Sequence, residues 1–264
     1  VFASAANTDR DSYYGPGNDP LKAYGKTTDL TAMGGAQYVH TFDKCFFMPS
    51  DLTAGLEYNR DRLKDNMWGY NRHTDQTVNI YSAFLQNEWK NDRWGILIGG
   101  RLDKHNMVDN VIFSPRANLR FNPTQNINLR LSYSSGFRAP QAFDEDMHIE
   151  NVGGTVAMIE RAKDLKEEKS QSFSVSADMY HRFGAFQTNL LIEGFYTRLT
   201  DVFVLGKPYD RGDGILVKTR SNGPGAKVMG LTLEGKVAYL SILQIQAGLT
   251  LQRSRYDEPH KWHD

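Results

Sequence analysis

Asn126-Ile127-Asn128-Leu129-Arg130-Leu131-Ser132-Tyr133 runs directly into Ser134-Ser135-Gly136-Phe137-Arg138-Ala139-Pro140. In the first eight residues Ile127, Leu129, Leu131 and Tyr133 alternate with Asn126, Asn128, Arg130 and Ser132. That is the period-two signature of a strand with one apolar and one wet face. The alternation then stops. Gly136 can turn where a Cβ would clash, and Pro140 offers no N–H to a ladder and holds Ala139 extended. The stretch predicts the end of a long strand and the start of a large connection.

Working outward, the same alternation recurs on both sides. Upstream, Tyr81, Ala83, Leu85 and Trp89 alternate with Ser82, Phe84, Gln86 and Glu88, and Ala117, Leu119 and Phe121 with Arg116, Asn118 and Arg120. Downstream, Phe173, Val175, Ala177 and Met179 alternate with Ser172, Ser174, Ser176 and Asp178, and Leu231, Leu233 and Val237 with Thr232, Glu234 and Lys236. About ten such segments, each of roughly 10 to 14 residues, exceed the usual globular strand and suit a tilted membrane crossing. Short turns at 91–93, 122–125, 183–184 and near 240 alternate with long connections at 61–76, 104–110, 135–168 and 199–226. This asymmetry is that of outer-membrane barrels. Residues 1–29, rich in turn formers, read as loop. Within 199–226, Val202 to Leu205 and Ile215 to Thr219 predict a small hairpin around Gly212-Asp213-Gly214.

Composition sets further bounds. The 264 residues carry 31 basic and 31 acidic side chains, with no basic stripe to attract nucleic acid. A mean hydropathy of -0.54 and the lack of a long apolar run exclude a spanning helix but not a barrel, whose strands need only every second residue apolar. Cys45 is the single cysteine. No phosphate-cradling glycine loop, metal-binding helix or nucleophile elbow is present, so the chain reads as a non-enzyme without cofactor or metal. The start, Val1-Phe2-Ala3-Ser4-Ala5-Ala6-Asn7, lacks the pattern of a signal peptide.

Gly136-Phe137-Arg138-Ala139-Pro140 resembles the strand-end motif of TonB-dependent outer-membrane receptors. Three more stretches resemble the same family, in family order: Tyr81 to Lys90 with Gly99-Gly100-Arg101-Leu102-Asp103, then Phe113-Ser114-Pro115-Arg116-Ala117-Asn118-Leu119, then Leu165-Lys166-Glu167-Glu168-Lys169-Ser170, with Glu167 where proline is usual. The resemblance implies an all-β antiparallel transmembrane barrel, of which residues 1–264 would supply about ten of about 22 strands, with 135–168 and 199–226 as extracellular loops. It implies a plug and a TonB box elsewhere, so this chain reads as a fragment not competent alone. It also implies a Gram-negative outer membrane, lipid as surroundings, and the TonB complex as partner through the plug. The implied activity is energised uptake of a scarce nutrient such as a ferric siderophore, haem or cobalamin. A passive or structural outer-membrane barrel and a soluble β-rich ligand-binding domain are the alternatives.

For ligand contact the candidates are Arg138 and the cluster Asp144, Glu145, Asp146 and His148, set against a strand-end packing role for Arg138 and a solvated acidic loop for the others. Some haem receptors of the family place a histidine between the Phe-Arg-Ala-Pro motif and an Asn-Pro-Asn-Leu motif. His148 is suitably placed, while Ala162-Lys163-Asp164-Leu165 departs from the second motif. His260 and His263 lie at a spacing that does not suit one strand face.

Overall fold

The structure, a computed structural model, describes residues 1–13, 24–68, 72–142, 150–152, 155–212 and 216–258. Eleven long strands form one antiparallel meander: β1 (Phe2–Tyr13), β2 (Tyr24–Cys45), β3 (Met48–Met67), β4 (Arg72–Lys90), β5 (Trp94–His105), β6 (Ile112–Thr124), β7 (Ile127–Arg138), β10 (Glu168–Phe183), β11 (Phe186–Thr200), β15 (Ala226–Tyr239) and β16 (Leu243–Tyr256). Each pairs with its neighbour in the chain, and the two gaps in numbering are filled by a second sheet. Into it go β8 (Glu150–Val152), β9 (Thr155–Arg161), β12 (Phe203–Leu205), β13 (Tyr209–Asp210) and β14 (Leu216–Asn222).

Register puts like residues side by side. One row crosses eight strands as Trp89, Ile96, Leu119, Leu131, Val175, Gly194, Leu231 and Leu251. The row one residue along crosses six as Arg120, Arg130, Ser176, Glu193, Thr232 and Thr250. A one-residue slip at any pair would mix the two, so the alternation itself fixes the register. Among the described residues nothing packs over the apolar face: Phe113 is 59% exposed and Leu251 60%. A patch of that extent marks a surface that meets something other than water.

Aromatic pairs bound this face at two levels. Phe186 and Tyr239 meet at 4.9 Å and Trp94 and Phe121 stack at 4.2 Å beside the short turns. At the other end Tyr133 meets Phe173 at 4.8 Å and Tyr58 meets Tyr81 at 4.9 Å. Phe173 and Phe183 lie ten residues apart on β10. At ~3.3 Å per residue and a strand tilt of ~40°, the apolar band is about 25 Å tall, the height of the lipid-facing band of an outer-membrane barrel.

The inner face breaks its polar rule where glycine permits it. Phe84 faces inward because its cross-strand partner is Gly55, whose missing side chain leaves room for the ring. Phe195 lies likewise over Gly230, where an added Cβ would come within 2.5 Å of the ring.

Several expectations are corrected. Of the stretch 1–29 expected as loop, residues 2–13 and 24–29 are strand: β1 pairs with β2 from Phe2↔Gly35 to Tyr13↔Tyr24. Residues 61–67 and 72–76 are likewise strand and not loop, because β3 and β4 stay paired up to Met67↔Arg72. Polar residues on both faces hid these segments, since backbone pairing beyond the apolar band requires no outward apolar phase. Strands of 22, 20 and 19 residues thus project well past the 9 to 11 or so that a membrane needs. The connections 135–168 and 199–226 are shorter than expected, as β7 runs to Arg138, β10 begins at Glu168 and β11 ends at Thr200.

Candidate functional site

The short turns are tight. Asn91 makes one of them, its Oδ1 accepting from the backbone N–H of Arg93 at 2.9 Å and of Trp94 at 2.7 Å. Gly184, at φ 57, makes another. The opposite end of the sheet holds the chemistry, because both long connections fold there into the second sheet. The hairpin expected in 199–226 is present as β12 against β14, Phe203↔Asn222. Across from it, β14 pairs in parallel with β9, Leu216↔Ala157 to Arg220↔Arg161. The two connections are therefore one unit, with Met158 and Val217 buried in it.

This unit is tied to the wall through the Phe-Arg-Ala-Pro stretch. Arg161 donates from Nη1 to the Pro140 carbonyl at 3.0 Å and to Gln76 Oε1 at 2.8 Å. Gln76 Oε1 also accepts from the backbone N–H of Ala142 at 2.8 Å. Ala139 is buried with Val108 and Ile112, and Phe137 packs against that cluster. Arg138 lies over the Phe203 ring at 5.5 Å, a cation–π contact that joins β7 to β12. Gly136 pairs with Ser170.

Between the second sheet and the start of β4 lies a cavity of about 560 Å³, lined by Arg72, His73, Met107, Pro140, Met158, Glu160, Arg161, Lys163 and Arg211 among others. Four cations face it with Glu160 as the lining carboxylate, 3.9 Å from Arg211. Arg72 is held by buried Asp65, Nη2 to Oδ2 at 2.8 Å, and Thr27 donates to the other carboxylate oxygen at 2.7 Å. Guanidinium forks suit carboxylate, catecholate or phosphate oxygens. Nearby, His105 meets Gln141 Oε1 at 3.2 Å, and burial pushes its imidazole below the ordinary histidine range.

The inner wall below carries a second cluster. Arg101 binds Glu57 at 2.6 Å and Asp103 at 2.8 Å, and Ser82 donates to Asp103 at 2.6 Å. These groups satisfy one another, which is what charges on a partly buried wall require.

Of the residues singled out from sequence, Gly136 to Pro140 thus form the joint between wall and second sheet, with Arg138 stacked on Phe203 and not in the cavity lining. Asp144, Glu145, Asp146 and His148 lie outside the described residues, as do His260 and His263. Gln76, Arg72, Arg161 and Arg211 escaped the sequence reading. Only long-range pairing brings them together, and no local spacing signals it. Among the described residues no three metal-ligating side chains cluster.

Comparison with known proteins agrees with this architecture. The family described as TonB dependent receptor-like, beta-barrel matches residues 2–262, and the chain belongs to it. Barrels of this family are outer-membrane proteins of Gram-negative bacteria, and they are transport receptors and not enzymes. The siderophore receptor PirA of Pseudomonas aeruginosa superposes with a TM-score of 0.72 at 17% identity, over 89% of this chain and 44% of that one. The ferric enterobactin receptor PfeA of the same organism gives 0.69 at 19% identity, over 95% of this chain and 40% of that one. A curated relative, the probable hemoglobin and hemoglobin-haptoglobin-binding protein 3 of Haemophilus influenzae, is 23% identical over 206 residues, 76% of this chain and 18% of its own length. The chain thus spans under half of the solved receptors and under a fifth of the curated relative.

Proposed function

We propose that this chain is part of the barrel wall and ligand-binding mouth of an outer-membrane receptor that takes up an anionic, iron-bearing nutrient, a ferric siderophore or haem, with energy from the TonB complex. The observation that carries this reading is the cationic cavity formed by Arg72, Arg161, Lys163 and Arg211 at the end of the sheet where the long connections gather. Ferric catecholates and haem propionates both present oxygen anions that guanidinium groups bind at close range. A neutral or cationic cargo gains nothing from such a lining. In this reading the long-connection end is extracellular, the apolar band meets lipid, and the polar face lines the lumen.

The TonB complex acts on a plug inside the barrel, so the wall alone binds without gating. The names of the siderophore receptors and of the hemoglobin-binding relative divide over the cargo, and the cavity's cations suit the oxygen anions of either. The test uses the full receptor in a strain lacking its other iron receptors. Growth on ferric siderophore or haem as sole iron source should need both the receptor and TonB, and Arg161→Ala with Arg211→Ala should raise the half-saturating concentration at least tenfold. TonB-independent growth with unchanged half-saturation would instead support a passive barrel.

A further inference from the structure

The outward face carries a depression that lumen chemistry does not use. It is a groove of about 560 Å³ lined by Gly34, Ala36, Leu56, Ala83, Leu102 and Val111. Register explains it. Ala36, Leu56, Ala83 and Leu102 form one row across β2 to β5, alternating small and large. The small members leave a trough between Leu56 and Leu102, whereas the four-strand run Ile96, Leu119, Leu131 and Val175 on the same face has no small member before Gly194. One row toward the long-connection end, Gly34, Tyr58, Tyr81 and Lys104 stand side by side and close the trough with aromatic rings.

Cations cluster directly beyond that row on the same face. Arg60 lies in the next row, between Ala32 and Asn79, and Arg62 in the one after, between Leu30 and Thr77. Both are exposed, and among the described residues neither forms an ion pair. Lys104 is fixed at the groove's rim, donating to the carbonyls of Val108 at 2.9 Å and Asp109 at 2.8 Å. That leaves one N–H of the ammonium to point elsewhere. Near the rim the carboxylates of this face, Asp9, Asp11 and Asp75, sit farther out: Asp9 and Asp75 in the row of Lys64, Asp75 paired with that lysine at 3.6 Å, and Asp11 in the row after, opposite Lys26. Sheet spacing puts Arg60 about 12 Å and Arg62 about 17 Å from Lys104, distances that three long side chains converging on one anion can span.

We infer that this groove and its cationic rim bind a phosphate-bearing, acylated lipid of the leaflet at the long-connection end: an acyl chain in the trough and the phosphate on Arg60, Arg62 and Lys104. The apolar trough lies inside the lipid-facing band and the free cations lie at headgroup height, so one amphiphile satisfies both. A protein partner would need apolar contact to continue past the tyrosine row, where this surface turns polar. The inference rests on the membrane reading of the apolar band.

The test takes the full receptor in nanodiscs of phosphatidylcholine doped with lipid A, and reads lipids retained by native mass spectrometry after a detergent wash. Wild-type protein should retain lipid A over phosphatidylcholine at least tenfold. Each cation at headgroup height contributes about fivefold, so Arg60→Gln, Arg62→Gln and Lys104→Gln together should lower retention on the order of a hundredfold. Lys64→Gln, whose ammonium is paired, should change it less than twofold. Ala36→Leu with Ala83→Leu fills the trough and should abolish retention with all charges intact. Equal retention of both lipids by a receptor that inserts and migrates as a folded barrel would overturn the inference and leave the membrane reading standing. A receptor that does not insert would overturn both.

Discussion

Arg161 and Gln76, 85 residues apart, share a hydrogen bond of 2.8 Å at the point where the second sheet meets the wall. The same guanidinium nitrogen holds the Pro140 carbonyl. The Phe-Arg-Ala-Pro stretch is therefore more than the end of a strand: it is the seat on which the cavity's floor is set. Removing the fork should loosen the cavity without unfolding the wall, whose ladders do not involve it. Arg161→Ala is expected to speed amide exchange over 155–162 and 139–142 by tenfold or more, since each charge-assisted bond is worth about 1.5–3 kcal/mol. Thermal unfolding of the main sheet should move by no more than a few degrees. Arg161→Lys should restore part of the protection, having the charge but not the planar fork.

The Phe84–Gly55 pair gives a second prediction. A methyl at Gly55 must overlap the ring, so Gly55→Ala should destabilise the barrel by about 1–3 kcal/mol through overpacking. Phe84→Ala in the same chain should relieve the clash. A double-mutant cycle measured by urea unfolding in detergent should then show a coupling of about 1 kcal/mol or more, whereas two independent sites would add.

These pairs also show which features a linear reading can reach. The strands β5, β6, β7, β10, β11, β15 and β16 were legible because their outward residues are apolar and their inward ones polar. Phe84 and Phe195 broke the pattern because the cause, a glycine on the neighbouring strand, lies 29 and 35 residues away. Strand β1 and the tips of β2 to β4 were illegible for a different reason. There the sequence is polar in both phases, so period-two contrast vanishes although the ladder continues. The site divides in the same way. The motif 136–140 is contiguous and was readable, whereas Arg72, Gln76 and Arg161 come from separate strands. The β9–β14 register is parallel and joins segments about 60 residues apart, a contact with no local signature.

Asp61 supplies a pH prediction. It lies on the inner face beyond the Tyr58 row, and burial, together with the charge of Asp29 and a hydrogen bond to it, pushes its carboxyl up from 3.8 to about 6. A raised folded-state value means that the folded protein binds the proton more tightly than the unfolded chain. The associated stability is complete below about pH 4 and is lost as pH rises through about 6. Asp61→Asn should therefore be more stable than wild type at pH 7.5, by about 1 kcal/mol after allowance for solvent screening. The difference should vanish near pH 4, as read from thermal midpoints across pH 4 to 8. An equal gain at both ends of that range would mean that packing, and not the proton, is responsible.

The sharpest test of the two faces uses neighbours in one strand. Ala177 lies four residues inside the Phe173 level on the apolar face, near the middle of the band, and Ser176 is the adjacent residue on the polar face, between Arg130 and Glu193. If the apolar band lies in hydrocarbon, an arginine at Ala177 must drag its charge toward an interface about 10 Å away, and near mid-bilayer this costs about 2–4 kcal/mol. An arginine at Ser176 meets water or polar side chains and costs little. Ala177→Arg should lower the folded fraction in lipid vesicles by tenfold or more, while Ser176→Arg folds like wild type. In a soluble sheet bathed by water on both sides, the two substitutions would instead differ by less than about 1 kcal/mol. The ratio of the two folded fractions, measured in one vesicle preparation, separates a lipid-facing wall from a soluble sheet whatever the cargo.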